Sequence, residues 1–316
     1  MTAIAILHPT NLLGKELRET LEARHRDWTD LRLMSTQEDE IGTLTEAAGA
    51  AALVSRYEPE KLKGVDVAFF CGPAEVNRPI LAELPPATVG IVLSFDATPE
   101  DGLPVVAGVN SAAAQGRRTL VSPHPATVLL AHLLHPLKGF APEEAVATLI
   151  QPASIRDEPG IEELFENTRQ IVAMGARTPT PLFGTQLAFN LLPAAAPIEA
   201  IAGQLHAVLA AVPPGMPVAL QILQGSVFHA VSASLFLRCP SNPSLQAFRK
   251  ALGENPVIEA ADRPRLLGPV DAAASDRVIF GSLRKDETGG FWIWAVMDNL
   301  TRGGALNAVE IAEAVL

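Results

Sequence analysis

The chain is short of cysteine, aromatic residues and positive charge, and has no long apolar run; each shortage excludes something. Two cysteines in 316 residues, Cys71 and Cys239, cannot form a disulfide framework, and neither belongs to a C-x-x-C pair. Lys and Arg number 24 against 35 Asp and Glu, a formal charge of -11 with no basic cluster, so neither nucleic acid nor an anionic membrane is an expected partner. No apolar stretch reaches the roughly 18 residues of a membrane span, and the opening MTAIAILHPTN has neither a basic n-region nor a cleavage site. A cytoplasmic, reduced setting is expected.

What is present is aliphatic. Hydrophobic residues make up 48% of the chain while aromatics are only 5%, a balance suited to helices packed on a parallel sheet. AIAIL leads through HPTNLLG into the helical pattern KELRETLEAR, with Leu13, Leu17 and Leu21 on one face. DLRLMS, VDVAFFCG, TVGIVLSF and RTLVS are further strands separated by helical or loop segments, which predicts a Rossmann-like, doubly wound parallel sheet. Beyond about residue 140 the character changes. EEAVATLIQPAS, MPVALQILQ, SVFHAVSASLFLR, RVIFGSLRK and GFWIWAVMD are strands, and PGIEELFENTRQIV, opened by Pro159, and PIEAIAGQLHAVLAAV are helices. Alternation places Val227, His229, Val231, Ala233, Leu235 and Leu237 on one face, so this half is an α+β domain with a mixed sheet. The class is α/β.

The turn LVSPHPATVLLAHLLHPL is built like a nucleophile turn, yet Pro125 stands at its tip with no hydroxyl, thiol or amine. Cys71 ends an apolar strand and reads as packing before nucleophile. His132 and His135 form an i, i+3 pair, but with His124 they lack a completing carboxylate or cysteine; the expectation is a helix surface and no metal. Trp292 and Trp294 read as core or interface, and QEDE as a solvated turn.

The tail VMDNLTRGGALNAVEIAEAVL resembles the D-N-L-x-x-G-A-A-x-N-A-V-x-I-A-E motif of the aspartate-semialdehyde dehydrogenase family. VVAGVN, QPASIRDEPGIEEL and FGTQLAFNLLP resemble further family segments in the same order. The resemblance implies a nucleotide-binding-type domain over 1–125, completed by a C-terminal helix at 303–316, and a dimerisation and substrate domain over 126–302. It also implies reduction of an acyl phosphate with NADPH through a cysteine thioester, a histidine acid/base, and arginines for the substrate's carboxylate and phosphate.

Those parts are altered here. Ungapped alignment with the family's N-P-N-C-S-T puts Pro125 on the nucleophile. Alignment of GSVFHAVS puts Val231 on the catalytic histidine, with His229 two residues earlier as the alternative. Gln224 stands on an arginine, the phosphate-binding arginine has no counterpart in LSFDATPEDG, and the family's glutamine survives as Gln151. The family's G-A-T-G-x-x-G reads HPTNLLG, so His8 and Asn11 replace two glycines and only Gly14 remains. Glu38 lies near the position where NADP-dependent members carry an arginine; it disfavours a ribose phosphate, so NAD is expected over NADP if either binds. Cys71 borders the same vestigial cofactor site. The glutamine before GSVF and the non-cysteine turn resemble the degenerate Usg-type paralogues of the family.

The expectation is a homodimeric, noncatalytic binding or assembly protein with no required cofactor and a protein partner of unknown identity. Two alternatives stay open. One is an active NAD(P)-dependent oxidoreductase on an aldehyde or acyl phosphate, using Cys71 or His229 in a rearranged site. The other is a sensor that keeps a small-molecule ligand around Gln151.

Overall fold

Strands buried on both faces need no alternation, and the first half of the chain shows this directly. In the computed structural model, which describes residues 2–24, 28–47, 49–175, 179–210 and 218–316, Ile4 to Leu7 and Val67 to Phe70 are all fully buried. The strands of this half are β1 (Thr2–Leu7), β2 (Trp28–Ser35), β3 (Leu44–Ala47), β4 (Ala50–Leu53), β5 (Ser55–Arg56), β6 (Val67–Phe70), β7 (Val89–Val92), β8 (Leu103–Pro104) and β9 (Thr119–Val121). Seven of them form one sheet in the order β5-β2-β1-β6-β7-β9-β8, and its paired strands are parallel. β3 and β4 pair separately as an antiparallel hairpin that the sequence reading does not anticipate.

Three helices begin just beyond strand ends of this sheet: α1 (Leu12–Arg24) after β1, α2 (Ala74–Ala82) after β6, and α3 (Pro125–Leu134) after β9. In a parallel sheet this brings their N-termini to the carboxyl ends of the strands, where open α/β proteins place their ligands. Gly14 sits inside α1 where a Cβ would lie 2.5 Å from the Pro9 carbonyl oxygen, so no larger residue lets the helix approach its incoming turn.

One compact unit comprises Met1–Val128, Gly203–Leu209 and Gly303–Leu316. A π-helical turn, Thr301–Ala305, leads into α8 (Leu306–Val315). The fully buried Asn307 fastens α8 within this unit. Its Oδ1 accepts from the Ala107 N–H at 2.9 Å, and its Nδ2 donates to the Val105 carbonyl at 3.0 Å and to Ser122 Oγ at 2.9 Å. Arg24 of α1 grips Glu313 of α8 through two 3.0 Å hydrogen bonds.

The other unit comprises Leu129–Ala202 and Ala210–Arg302. Its strands are β10 (Glu144–Gln151), β11 (Leu191–Pro193), β12 (Val218–Gly225), β13 (Val231–Arg238), β14 (Ile258–Ala260), β15 (Val278–Lys285) and β16 (Phe291–Met297). They form a mixed sheet in the order β11-β12-β10-β13-β16-β15-β14. One face, with Ala147, Leu149, Ala233, Leu235 and Ile293, is buried, while Val146 on the other face is 38% exposed. The remaining helices are α4 (Asp157–Met174), α5 (Ile198–Val208), α6 (Leu245–Gly253) and the short α7 (Pro269–Ala272); the sequence reading does not foresee α6 or α7. Residues 211–217, where the expected helix ended and the expected strand began, lie outside the described residues.

Two local expectations are corrected. α4 opens at Asp157, with Pro159 tolerated inside its first turn. β13 begins only at Val231, because Ala230 adopts a left-handed φ of 69° that breaks the extended chain; Val227 and His229 therefore do not continue its alternating face. Trp292 and Trp294 are half-buried, and their indole N–H groups donate to Asp286 Oδ2 and the Leu267 carbonyl, each at 3.0 Å.

Replacing Asn307 by Ala would strand a buried N–H and a carbonyl together. Urea unfolding of Asn307→Ala is expected to show a loss of about 2–4 kcal/mol. A loss below about 0.5 kcal/mol would mean that α8 is held by apolar packing alone.

Candidate functional site

At the carboxyl end of the parallel sheet, the loop after β1 is filled by its own side chains. His8 has a left-handed φ of 57°, as a glycine in a tight turn would, yet it carries a ring that is 1% exposed. His8 Nδ1 lies 3.0 Å from Ser35 Oγ and 3.4 Å from Glu40 Oε2, while Nε2 lies 3.4 Å from Thr36 Oγ1. The ring packs on Gly72, where a Cβ would lie 2.6 Å from His8 Cδ2; any larger residue there would expel the imidazole. Glu40 also accepts from Thr10 Oγ1 at 2.5 Å. These contacts hold its carboxyl below the usual range although burial, the largest single influence, acts the other way.

Asn11 completes the loop. Its Oδ1 accepts from the Gly14 N–H at 2.8 Å, capping α1, and its Nδ2 donates to the Cys71 carbonyl at 2.6 Å. The other two helix starts are closed in the same manner. The Asp96 carboxylate accepts from the Ala74 N–H at 3.1 and 3.2 Å, at the head of α2. At the head of α3, His124 Nδ1 accepts from the Ala126 N–H at 3.1 Å.

The turn before α3 is held from behind by Gln204. Its Oε1 accepts from the His124 N–H at 3.0 Å and from Thr127 Oγ1 at 3.3 Å, and its Nε2 donates to the Ala97 carbonyl at 2.7 Å. Pro125 is the first residue of α3, where a missing N–H costs nothing and a fixed φ favours the helix. The expected helix surface is not found: His124 is 3% exposed, His132 is fully buried, and only His135 is partly open. Burial pushes His124 down to about 4 and His132 to about 3, with Arg302 and His135 adding to the effect at His132. Both rings are neutral at pH 7.

Cys71 is 2% exposed and its thiol is pushed far up, chiefly by burial and further by Glu40, with Arg18 opposing. Such a thiol holds no usable thiolate at neutral pH. Glu38 is exposed and pairs with Arg56 through two 2.7 Å hydrogen bonds, which lower its carboxyl. The acidic turn is therefore split: Glu38 and Asp39 face solvent, while Glu40 turns inward.

In the other unit, parallel register sets Gln151 at the end of β10 beside Gln224 at the end of β12. Gln224 Nε2 donates to the Gln151 and Gly225 carbonyls at 3.2 and 3.3 Å, so its Oε1 faces Gln151 and accepts from Nε2 there at 3.0 Å. Both side chains are buried, and neither hydrogen-bonds a charged group among the described residues. Val231 is buried opposite Met297. His229 is half-buried in the turn between β12 and β13. Asn299, in the D-N-L of the tail motif, accepts from the Ala230 N–H at 3.0 Å and donates to Ser154 Oγ at 3.0 Å, fixing the strained entry to β13.

Residues 3–112 match the family described as semialdehyde dehydrogenase, NAD binding domain. The chain is 24% identical to the aspartate-semialdehyde dehydrogenase of Bacillus subtilis (strain 168), over 99% of this chain and 96% of that protein. It is 28% identical to a USG-1 protein homolog of Azotobacter vinelandii, over 99% and 97%. Its fold superposes on the structure of a probable aspartate-semialdehyde dehydrogenase from Pseudomonas aeruginosa with a TM-score of 0.88 at 25% identity, covering 99% of this chain and 97% of that one. Residues 3–112 are thus a semialdehyde dehydrogenase NAD-binding domain, and the chain over nearly its whole length is similar to aspartate-semialdehyde dehydrogenases and USG-1 protein homologs.

The chain keeps the two sheets of the structures it resembles. Sequence reasoning finds His8, Asn11, Pro125, Gln151 and Gln224 but misses Glu40, Gly72, Asp96 and Gln204. These four act across the fold from their sequence neighbours, and no local pattern marks them.

The buried histidines impose a pH dependence. Each has a folded value below its ordinary 6.5, so the unfolded chain binds the extra proton first. Stability is complete above about pH 6.5 and falls toward pH 4, by about 2 kcal/mol from each ring at pH 5. Urea midpoints at pH 7.5 and pH 5 check this: His132→Gln should shrink the difference, and an unchanged difference would place the dependence elsewhere.

Proposed function

We propose that this chain is noncatalytic, acting as a homodimer through binding or assembly. The observation that carries the reading is the pair of changes at the strand ends: a proline begins α3 where a thioester enzyme needs its thiol, and an imidazole fills the loop after β1. Acyl transfer to cysteine requires an attacking thiolate, a base and cations for an anionic substrate. Pro125 supplies no nucleophile, Val231 takes no proton, and Gln224 sits in a neutral amide pair. The relatives described as USG-1 protein homologs fit this reading.

The same geometry argues against the oxidoreductase alternative. Cys71 is sealed in the core and remains a thiol. A dinucleotide pyrophosphate needs free backbone N–H groups and close approach at the head of α1. The Gly14 N–H is already bonded to Asn11, and the His8 ring occupies the turn, so the residues present do not fit the group. Dinucleotide binding is weak or absent, with NAD favoured over NADP because of Glu38.

Dimerisation rests on the second sheet. Its less covered face carries Val146, Thr148, Ile150, Leu223 and Ser234, aliphatic or hydroxyl side chains suited to a second copy. Sedimentation at micromolar concentration should give a dimer, and Val146→Arg should shift it toward monomer. A monomeric wild type would remove the structural basis for assembly.

The catalytic reading is tested by turnover. Wild-type protein with aspartate semialdehyde, phosphate and NAD or NADP should stay at background, and so should Pro125→Cys, because groups that work as a unit are not restored singly. Wild-type turnover abolished by Cys71→Ala or His229→Ala would install the oxidoreductase instead.

A further inference from the structure

We infer that an apolar cleft beside β14, on the second sheet, seats a lysine or arginine side chain from an extended basic segment of a partner protein. The cleft deepens the binding reading of this chain, on which it rests, by giving the partner a stated chemistry. Parallel register sets Glu259 of β14 next to Ile279 of β15 on one face of the sheet. The segment after β14 crosses that face and is pinned to it, where Trp294 Nε1 donates to the Leu267 carbonyl at 3.0 Å. Gly281 permits the crossing: a Cβ there would lie 2.6 Å from the Pro264 carbonyl oxygen and 3.0 Å from Leu267 Cδ2. The register of β15 against β16 shifts at the same place, between Phe280 and Leu283. The crossing leaves a cleft of about 190 Å³ lined by the aliphatic Leu266, Leu267 and Ile279 and by the carboxylates of Glu259, Asp262 and Asp271.

Size and charge select the occupant. Pockets for cofactors and drug-sized molecules run to roughly 300–1,000 Å³, so this one suits a single side chain. Three carboxylates against one guanidinium, Arg263, make it anionic, and Glu259 and Asp262 have no hydrogen bond or ion pair among the described residues. Asp271 is held in place, its Oδ2 accepting from the Gly268 N–H at 2.8 Å. A metal ion is not the match, because no three acidic, histidine or cysteine side chains among the described residues are grouped to hold one. A cation on an aliphatic stem is: its methylenes lie along Leu267 and Ile279 while its head meets the carboxylates. Two further features favour a protein as its source. Leu266 at the cleft is 71% exposed and Val270 on α7 is 88% exposed, apolar side chains that a protein surface would cover. β14 also ends its sheet, and among the described residues no strand pairs with its outer edge, which leaves room for an extended segment. The net charge of -11 steers a basic partner toward the chain.

The test uses fluorescence anisotropy of the full-length chain with a labelled Ala-Lys-Ala-Lys-Ala peptide at pH 6.5 and low salt. Glu259→Gln/Asp262→Asn should bind it roughly 3- to 30-fold more weakly than wild type, the range of two exposed ion pairs. Asp39→Asn/Glu60→Gln removes the same charge from the other unit and should leave the affinity unchanged. A peptide with diaminobutyrate in place of lysine carries its charge on a shorter stem and should bind more weakly than the lysine peptide. No loss in the Glu259/Asp262 variant, an equal loss in the Asp39/Glu60 variant, or equal binding of the two peptides would overturn the site. Free diaminobutane binding as tightly as the lysine peptide would overturn the protein source. None of these readouts measures turnover or sedimentation, so such a failure would leave the noncatalytic homodimer standing.

Discussion

Backbone N–H groups at the start of a helix have no intrahelical partner, and a parallel sheet gathers several such starts at one edge. Something must satisfy them. In proteins that bind phosphates the ligand contributes, and the helix dipole favours its charge. Here the chain supplies the acceptors itself, with Asn11 on α1, Asp96 on α2 and His124 on α3. The edge of the sheet keeps its helix starts, and each of the three is capped by a side chain.

The substitutions at this edge are mutually consistent. His8 keeps the left-handed backbone of a tight turn, a conformation that costs a side-chain-bearing residue about 1–2 kcal/mol, offset by its contacts to Ser35, Thr36 and Glu40. Gly72 provides the space that the ring needs. Pro125 makes a good helix start, and His124, neutral and buried, caps that helix. In the other unit Gln151 and Gln224 bond each other without a charge. Single changes in a working site would leave buried groups stranded; here most have partners.

The sheet classes were legible because burial sets the pattern: continuous apolar runs in the first half and alternation in the second, as in VATLIQ. A backbone conformation can interrupt a pattern that the side chains continue. Ala230 takes a positive φ, so VFHAVSASLFL alternates on paper through His229 while the strand begins at Val231. His132 looked like surface because an i, i+3 pair falls on one stripe, but α3 is apolar all round and is buried all round. The site's altered positions could be read from motif alignment. Their compensations could not: Glu40 sits in an acidic turn that resembles any solvated loop, and only the folded chain brings it to Thr10 and His8.

In the proposed reading, side chains of this chain hold the place of a dinucleotide. Titration calorimetry of NAD and NADP against wild type and His8→Gly/Glu40→Ala tests it most directly. Wild type at micromolar protein should give no measurable heat of binding, and a saturable signal, stronger for NAD, should appear once the imidazole and carboxylate are removed. Micromolar binding of either dinucleotide to the wild type would contradict it.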